Sequence, residues 1–448
     1  MKNKNNRHAW VISVIMGLGH MRAAYPLRDL AYEDIIIAGR QHTSTPEEFK
    51  TWKRLLYMYY FISKAEKIPL IGKFLFGFLN TLENILPYYP KRNLSKPNWA
   101  VLYLNNMVVR KGLCSTIINR IASKKMPVVN TYFATAIAID KLKPEIKENY
   151  LVVTDTDINR VWVPDKPEKS RIKYLTPCTS AKERLMAYGV PEKDIYMTGF
   201  PLPKENIGSE KNMEILKNDL FSRLVRLDPE HKFFSFHKNS ILKLLGKKEI
   251  PVPKDDIFTL TFAVGGAGAQ TELAKQILRS LKDKLIQKKI RINLALGILL
   301  DVYNDFINYI HELKIIPHFN NELKIIHNTD IYKYFDQFNQ ALHTTDVLWT
   351  KPSEMSFYCG PGIPILIAPP IGVHEELNKK WLQEIHAGLE AAGPVEYTNE
   401  WLFDLRAKGR LAESAWDGFL KARKLGTYKI EKLVLTGKFK PDSSPLKQ

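Results

Sequence analysis

Short apolar runs that end in glycine or polar residues recur along the first 200 residues of the chain. The first run, in HAWVISVIMGLGH, is rich in β-branched residues (Val11, Ile12, Val14 and Ile15) and stops at a glycine turn. Runs of this length and composition are typical of buried strands. We interpret five more as strands: 34–40, 99–106, 126–132, 150–157 and 171–178.

Helical patterns lie between these runs. The clearest is SAKERLMAYG, for which we predict Ser180 as the N-cap and Gly189 as the C-cap. Strand and helix alternating in this way predict an α/β fold with a doubly wound parallel sheet.

The alternation stops after Pro203 and restarts near Phe258. The segment between them is charged, helical in pattern and closed by PVPKDD, so we interpret it as a linker or helical insertion. Five further strands are predicted in FTLTFAVGG, RINLALGI, ELKIIHN, DVLWTKPSE and PILIAPP, and one long helix in AESAWDGFLKARKLGTYKIEKLV.

A chain of 448 residues exceeds what one compact domain usually holds. We expect an N-terminal Rossmann-like domain over 1–203 and a helical insertion or linker over 204–254. A C-terminal Rossmann-like domain follows over 255–400, and a helical segment and tail over 401–448.

The composition restricts the partners and the compartment. A net charge of +19 implies an anionic partner, such as a phosphorylated substrate or an anionic membrane. Three dispersed cysteines without a CxxC pair exclude a disulfide framework and suit a reducing cytoplasm. No apolar run is long enough to span a bilayer. The N-terminus imitates a signal peptide, but His20 and Arg22 lie where its cleavage region should be small and uncharged.

One segment, about 50–111, is both basic and aromatic. It has eleven basic and two acidic residues, a net charge of +9, and apolar residues from Leu70 to Ile85 recur at helical spacing. This pattern is typical of a helix lying on an anionic bilayer. A helix packed on its own sheet is the alternative. No nucleic-acid module accompanies the segment, so we expect no nucleic-acid partner.

The turn at Gly17, Gly19 and His20 follows the first strand, where a parallel sheet binds its ligands. Arg22 stands where a dinucleotide-binding turn needs its third glycine. His20 faces the ligand in this interpretation and could act as a general base; a helix N-cap without chemistry is the alternative.

A second glycine turn, VGGAGAQ, holds Gly265, Gly266, Gly268 and Ala269 and lacks the GK[ST] of a P-loop ATPase. Its backbone donors and helix dipole can hold a diphosphate. Two later polar sets follow neighbouring predicted strands and are expected at the same sheet edge. They are Lys351, Ser353 and Glu354, and then His374, Glu375 and Asn378.

Four motifs in order resemble a known family. They are Gly17-x-Gly19-His20-x-Arg22, TSAKERLMAYGVPEKDIYMTGFPLP, VGGAGA and TKPSE…GIPILIAPPIGVHEELN. Together they resemble the galactolipid synthase and peptidoglycan N-acetylglucosaminyltransferase group of GT-B glycosyltransferases. The resemblance covers about 10–203 and 258–385.

The resemblance implies a GT-B fold, two Rossmann-like domains facing across a cleft. The C-terminal half would bind a nucleotide sugar, usually UDP-linked, and the N-terminal half a lipid acceptor. Gly265, Gly266, Gly268 and Ala269 would face the diphosphate, Glu375 and Asn378 would lie near the ribose and sugar, and His20 would face the reacting centre. Two departures stand out. Ser353-Glu354 replaces the family's glycine pair, and Asn159 and Arg160 occupy the part where the family has a histidine.

We therefore expect a cytoplasmic, peripherally membrane-associated glycosyltransferase that uses no cofactor and no catalytic metal and inverts the configuration at the sugar. His20 or Asp155 would be the base. Asp155-Thr156-Asp157 also resembles the DxD metal site of GT-A enzymes. A GT-B sugar-nucleotide 2-epimerase and an inactive nucleotide-sugar-binding relative are the alternatives.

Overall fold

The chain forms two compact units. The structure is a computed structural model that describes residues 8–65, 85–251, 257–266, 268–444 and 446–448, with side chains through Tyr57 in the first range. Unit 1 is drawn from Met1–Leu202, Ile371–Asn378 and Arg423–Gln448, and unit 2 from Pro203–Pro370 and Lys379–Ala422.

Unit 1 is built on a six-stranded sheet in which all pairings are parallel. Its strands are β1 Trp10–Val14, β2 Ile36–Ala38, β3 Val128–Asn130, β4 Asn149–Val152, β5 Ile172–Thr176 and β6 Ile195–Met197. Their order is β2-β1-β3-β4-β5-β6, so β1 pairs with β2 on one side and with β3 on the other. The chain therefore reverses its direction of travel across the sheet between β1 and β3.

Unit 2 repeats this design. Its strands are β7 Phe258–Ala263, β8 Ile290–Gly297, β9 Leu323–His327, β10 Val347–Thr350, β11 Ile365–Ile367 and β12 Gly388–Glu390. All pairings are again parallel, and the order is β12-β11-β10-β7-β8-β9. The reversal falls between β7 and β10. The side chains of the inner strands are almost all buried, as expected where helices cover a parallel sheet, and the edge strands β6, β9 and β12 are partly exposed.

Helices connect the strands in both units. In the first part of the chain they are α1 Gly19–Ala24, α2 Pro46–Ala65, α3 Trp99–Lys111, α4 Ser115–Ala122, α5 Phe133–Leu142 and α6 Thr179–Ala187. Next come α7 Glu214–Leu227, α8 Lys232–Leu245, α9 Thr271–Ser280, α10 Lys282–Ile286, α11 Leu300–Glu312 and α12 Ile331–Leu342. The last four are α13 Val373–Glu384, α14 Thr398–Ala407, α15 Arg410–Lys421 and α16 Gly426–Thr436.

The predicted fold class is confirmed. Each unit is a doubly wound, Rossmann-like α/β layer structure, and a chain with two such units has the GT-B composition. Ten of the twelve strands coincide with the apolar runs that predicted them, with β4 and β8 beginning one residue earlier; β6 and β12 are short additions at sheet edges.

One predicted strand, WAVLYLNN, is wrong, because this segment is helix α3. Asn98 caps its start by accepting a hydrogen bond from the Val101 N–H at 3.0 Å, and Gly112 ends it with φ +62°. The buried side chains recur at helical spacing: Ala100, Val101, Leu104, Met107 and Val108. Apolar residues on the opposite, exposed face hid this period in the sequence.

The predicted long C-terminal helix is two helices, α15 and α16. The chain leaves the first at Ala422, where the backbone is extended, and the second begins at Gly426. A Cβ at Gly426 would lie 2.1 Å from the Phe200 carbonyl oxygen, so only glycine permits this approach. The break coincides with the return of the chain from unit 2 to unit 1. The predicted 401–448 segment is thus divided between the units.

The segment 204–254, predicted as a linker or insertion, is an integral part of unit 2 where described. The Arg223 side chain on α7 is buried and donates to four carbonyls of unit 2, those of Leu342, Thr345, Pro361 and Gly362. A guanidinium holding this many carbonyls fixes α7 to the sheet's connecting turns.

Most of the predicted apolar helix face, from Leu70 to Leu82, lies outside the described residues; Ile85, at its end, is buried. Within the part of the chain that the structure describes, no helix has the length and apolar character needed to cross a membrane.

Candidate functional site

Polar residues lie at the point in each sheet where the chain reverses. Ligands of open α/β sheets bind outside the carboxyl ends of the strands at such switch points. In unit 1 the switch point brings together the segments after β1 and β3, and in unit 2 those after β7 and β10. The two glycine turns found in the sequence follow β1 and β7, so both occupy switch points.

His20 lies in the first turn of α1 and contacts the segment after β3. Its Nδ1 is 2.6 Å from the Thr131 carbonyl oxygen. A carbonyl only accepts hydrogen bonds, so in the neutral imidazole Nδ1 carries the proton and Nε2 is the basic nitrogen. This tautomer suits a general base, as predicted for His20; its role stays a prediction.

Aromatic rings fix the plane of the His20 ring. The Tyr132 ring lies edge-on to it at 5.1 Å between centroids, and the Trp162 ring at 6.2 Å. Of the other residues predicted on this side, Gly17 has φ +71° and Arg22 is buried within α1. Arg22 therefore packs inside unit 1.

In the loop after β4, Asp155-Thr156-Asp157, three hydrogen bonds hold Thr156. The Asn378 Oδ1 accepts from the Thr156 backbone N–H at 2.8 Å and from its hydroxyl at 2.7 Å. The Ser180 hydroxyl donates to the Thr156 carbonyl at 2.8 Å. The backbone N–H and the carbonyl of Thr156 are thus both hydrogen-bonded to side chains of other segments.

Asp157 forms a bidentate ion pair with Arg184 on α6. The Arg184 Nε and Nη2 lie 2.7 and 2.8 Å from the two carboxylate oxygens, and the Arg184 side chain is only 2% exposed. Burial raises the pKa of Asp157, and the hydrogen bonds and charge of Arg184 oppose the rise. The pair joins the loop after β4 to the helix after β5.

These contacts do not favour a DxD metal site at Asp155 and Asp157. Both Asp157 oxygens face Arg184, the Asp155 Oδ1 accepts from the Asn378 amide at 3.0 Å, and the Thr154 hydroxyl donates to its Oδ2 at 3.3 Å. Over the described ranges, no cluster of three or more His, Cys, Asp or Glu side chains is arranged to hold a metal ion.

Arg160, which stands near the position of the family's histidine, positions backbone. Its buried guanidinium donates to the carbonyls of Val163, Pro164 and Ser95 at 2.5–3.0 Å. It shapes the 3₁₀ turn Arg160–Trp162, which carries the Trp162 ring toward His20.

The set His374, Glu375 and Asn378 lies elsewhere than predicted. It was assigned to the nucleotide-sugar domain, but the segment Ile371–Asn378 belongs to unit 1 by its contacts. Asn378 has no exposed surface and positions the loop after β4 instead of presenting its amide at an open surface. The Glu375 Oε2 accepts from the Ile371 N–H at 2.8 Å and so ties the segment before α13 to the helix's first turn, with the His374 Nε2 3.9 Å from its Oε1.

The glycine turn of unit 2 precedes helix α9. The Gly268 N–H donates to the Gly265 carbonyl at 2.8 Å, and the Thr271 hydroxyl donates to the Gly268 carbonyl at 2.8 Å. Gly268 has φ +76°, which favours glycine. The turn thus leads directly into the positive end of the α9 dipole. Gly266 and Ala269 complete the turn.

Lys351, which follows β10, lies against this turn. A Cβ at Gly265 would be 3.3 Å from the Lys351 Cε, so the absence of a side chain at Gly265 makes room for the lysine. The register of β7 with β10, Ala263 opposite Thr350, brings the two segments together. An ammonium group, a glycine turn and a helix N-terminus therefore converge at one switch point, as a phosphate site requires.

Ser353 and Glu354 follow Lys351 and are mostly buried. The Ser353 N–H donates to the Lys351 carbonyl at 2.8 Å, and the Ser353 hydroxyl is buried with no hydrogen-bond partner among the described residues. The smaller family glycine at this position would offer no such hydroxyl. The donor-binding role of Ser353 and Glu354 stays a prediction.

Sequence reasoning missed Arg184 and the Thr131 carbonyl. Arg184 was quoted within a motif, but nothing in the sequence pairs it with Asp157. Backbone carbonyls leave no sequence signal at all, and only the parallel pairing of β1 with β3 brings that of Thr131 to His20.

A family model described as "Domain of unknown function (DUF6938)" matches residues 254–436. No curated protein matches the chain significantly.

Three of the similar solved structures are a MurG, a UDP-glucosyltransferase and a UDP-GlcNAc 2-epimerase. Acinetobacter baumannii MurG is 12% identical, with 96% of this chain and 99% of that chain covered and a TM-score of 0.46. A UDP-glucosyltransferase from Polygonum tinctorium is also 12% identical, with 96% of this chain and 99% of that chain covered and a TM-score of 0.45. The UDP-GlcNAc 2-epimerase from Neisseria meningitidis is 11% identical, with 96% of this chain and 100% of that chain covered and a TM-score of 0.42. We assign the fold from the strand orders and not from these similarities: the chain has the two doubly wound units of the GT-B class.

Proposed function

We propose that the protein is a glycosyltransferase that moves a sugar from a UDP-linked nucleotide sugar to a hydroxyl of a lipid or membrane-associated acceptor. The observation that carries the proposal is the convergence of Lys351, Gly265 and the α9 N-terminus at the unit 2 switch point. This set supplies a positive charge, close backbone approach and a helix dipole, which together suit a diphosphate.

In the proposed reaction the His20 Nε2 takes the proton of the acceptor hydroxyl. The acceptor oxygen then forms a bond to the anomeric carbon while the bond to the diphosphate oxygen breaks. A single displacement of this kind inverts the configuration at that carbon. Lys351 and the α9 dipole would stabilise the charge that develops on the leaving diphosphate.

Asp155 is the second candidate for the base. Its Oδ1 accepts from Asn378 and its Oδ2 from Thr154, so its carboxylate is oriented by two donors. Both of its oxygens thus already accept from donors of the protein. In His20 the hydrogen bond to the Thr131 carbonyl engages Nδ1, and the base of the proposed reaction is the other ring nitrogen.

The first experiment is a thermal-shift screen of nucleotides and nucleotide sugars, followed by transfer from radiolabelled UDP-sugars to a membrane lipid extract. We expect stabilisation by UDP and label in the lipid phase, also after treatment with a chelator. Recovery of lost turnover by manganese after chelation would contradict the metal-free mechanism. Conversion of UDP-GlcNAc to a second nucleotide sugar without acceptor would instead identify a 2-epimerase.

A further inference from the structure

Helix α3, predicted from the sequence as a buried strand, carries apolar side chains on its exposed face as well as on its buried face. Its inner face packs on α5 and on the turn Arg160–Trp162. Its outer face is also apolar: Trp99, Leu102, Tyr103 and Val109 are 46%, 54%, 50% and 58% exposed. Trp99, Leu102 and Tyr103 lie at three- and four-residue spacing, and Val109 follows two turns after Leu102 on the same side, with Asn106 between them. Single exposed apolar residues are ordinary, but several on one side of a helix mark an interaction surface.

The charge around this face is of one sign. Arg110 and Lys111, at the C-terminal end of α3, are exposed, and so are Lys91, Arg92 and Lys96 before it. Between Glu83 and Asp140 the chain has eight Lys or Arg and no Asp or Glu. An apolar helix face surrounded by basic residues is complementary to a partner with an apolar interior and an anionic surface. An anionic lipid bilayer has both properties.

The tryptophans agree with this assignment. Seven of the eight are buried, and Trp99 is the exception. Trp99 and Tyr103 lie one helical turn apart, and tryptophan and tyrosine are the residues that prefer the boundary between headgroups and acyl chains. A helix of thirteen residues is about 20 Å long, which suits a helix lying in the plane of the boundary and not one crossing it.

We propose that the outer face of α3 docks unit 1 on an anionic membrane surface. The inference deepens the proposed function, because it names the helix through which a membrane-associated acceptor is approached. The inner face of α3 packs on the turn that carries Trp162, and the Trp162 ring lies 6.2 Å from the His20 ring. The turn Arg160–Trp162 therefore lies between α3 and His20 and contacts both.

The test uses Trp99 as its own reporter. The full chain is mixed with vesicles of phosphatidylcholine, alone or with one quarter phosphatidylglycerol, and tryptophan emission and co-sedimentation are measured. We expect a blue shift and sedimentation with the anionic vesicles, quenching by brominated acyl chains, and weakening of both by salt. Trp99→Phe should abolish the shift and quenching while most sedimentation remains, because the seven other tryptophans are buried.

A double variant tests the face itself. Leu102→Glu with Val109→Glu places two carboxylates on the outer face, and both positions are more than half exposed, so the fold should tolerate them. We expect binding to anionic vesicles to fall roughly tenfold or more. The matched control is Phe236→Glu with Leu244→Glu on α8 of unit 2, which changes the net charge equally at exposed positions and should bind nearly as the parent does.

Three results would overturn the inference. They are the absence of any Trp99 shift with the parent, an equal shift with phosphatidylcholine alone, or equal loss of binding in the control. Concentration-dependent dimers that bury Trp99 without vesicles would assign the face to a second copy of the chain. The proposed function is tested separately, because stabilisation by UDP is measured without vesicles. Vesicle binding without UDP binding would support the docking surface and contradict the proposed transferase function.

Discussion

Asn378 and Thr156 are joined by two hydrogen bonds through one oxygen, although 222 residues separate them in the sequence. The Asn378 Oδ1 accepts from both the backbone N–H and the hydroxyl of Thr156, and its Nδ2 donates to Asp155. A segment that the chain reaches only after leaving β11 thus fixes the loop after β4. The orientation of Asp155, the second candidate base, depends on this amide.

Asn378→Asp should lower the free energy of unfolding by about 1–3 kcal/mol near neutral pH. The substitution keeps the oxygen that accepts both hydrogen bonds from Thr156 but replaces the donor that faces Asp155 with a second carboxylate oxygen. Two adjacent carboxylates raise each other's pKa in the folded protein. Stability is then lost as pH rises from the unfolded pKa through the raised folded value, so the variant should lose less stability at pH 5 than at pH 8.

The measurement is chemical denaturation of parent and variant at the two pH values. Asn378→Ala, which removes the donor without adding charge, is the control and should lose stability about equally at both. A loss in Asn378→Asp that does not depend on pH would show that no carboxylate faces the substituted group.

Arg184→Met should destabilise unit 1 by about 3–5 kcal/mol, because it leaves the buried Asp157 carboxylate without its cation. Urea denaturation would measure the change. Adding Asp157→Asn should recover part of the loss, since the uncompensated charge is then gone. If the double variant is as unstable as Arg184→Met alone, the cost arises from lost packing of the arginine and not from the charge.

Gly268→Asp should abolish stabilisation by UDP. The new carboxylate would lie in the turn before α9, where we place the diphosphate, and would repel it. Gly268 has φ +76°, so the substitution also strains the backbone. The matched control is Gly246→Asp, at φ +68° with nothing within 4 Å of the added Cβ. It pays a similar strain and should bind UDP as the parent does. Parental affinity in Gly268→Asp would place the nucleotide elsewhere.

The sequence predicted the sheets better than the chain's path between them. Buried parallel strands are continuous apolar runs, which is why those before His20 and Gly265 were recognisable. Helix α3 was mistaken for a strand because its exposed face is apolar as well. The membership of Ile371–Asn378 in unit 1 was not predictable, since it depends on hydrogen bonds to Asp155 and Thr156 that no local pattern encodes.

The site was predictable to the same extent. Glycine turns after apolar runs predicted which segments lie at the switch points of the two sheets, because backbone geometry demands glycine locally. The roles of side chains depend on partners distant in sequence, such as Thr131 for His20 and Arg184 for Asp157, and those partners follow from strand order. Strand order is a property of the folded sheet and is not written in any one segment.

His20 gives the last and most specific prediction. As the general base it would contribute roughly 10²–10⁴-fold to the rate of sugar transfer. His20→Asn is the most informative substitution, because the asparagine amide can still donate to the Thr131 carbonyl but has no basic nitrogen. We expect it to remove most turnover while the unfolding midpoint and UDP stabilisation remain nearly parental. His20→Ala should lose turnover equally and some stability besides, since it leaves the Thr131 carbonyl without this donor. Asp155→Asn is the comparison: if it alone abolishes transfer while His20→Asn retains near-parental turnover, the base is Asp155. If all three variants bind UDP and none differs from a parent without detectable transfer, the protein is a nucleotide-sugar-binding relative and not a transferase.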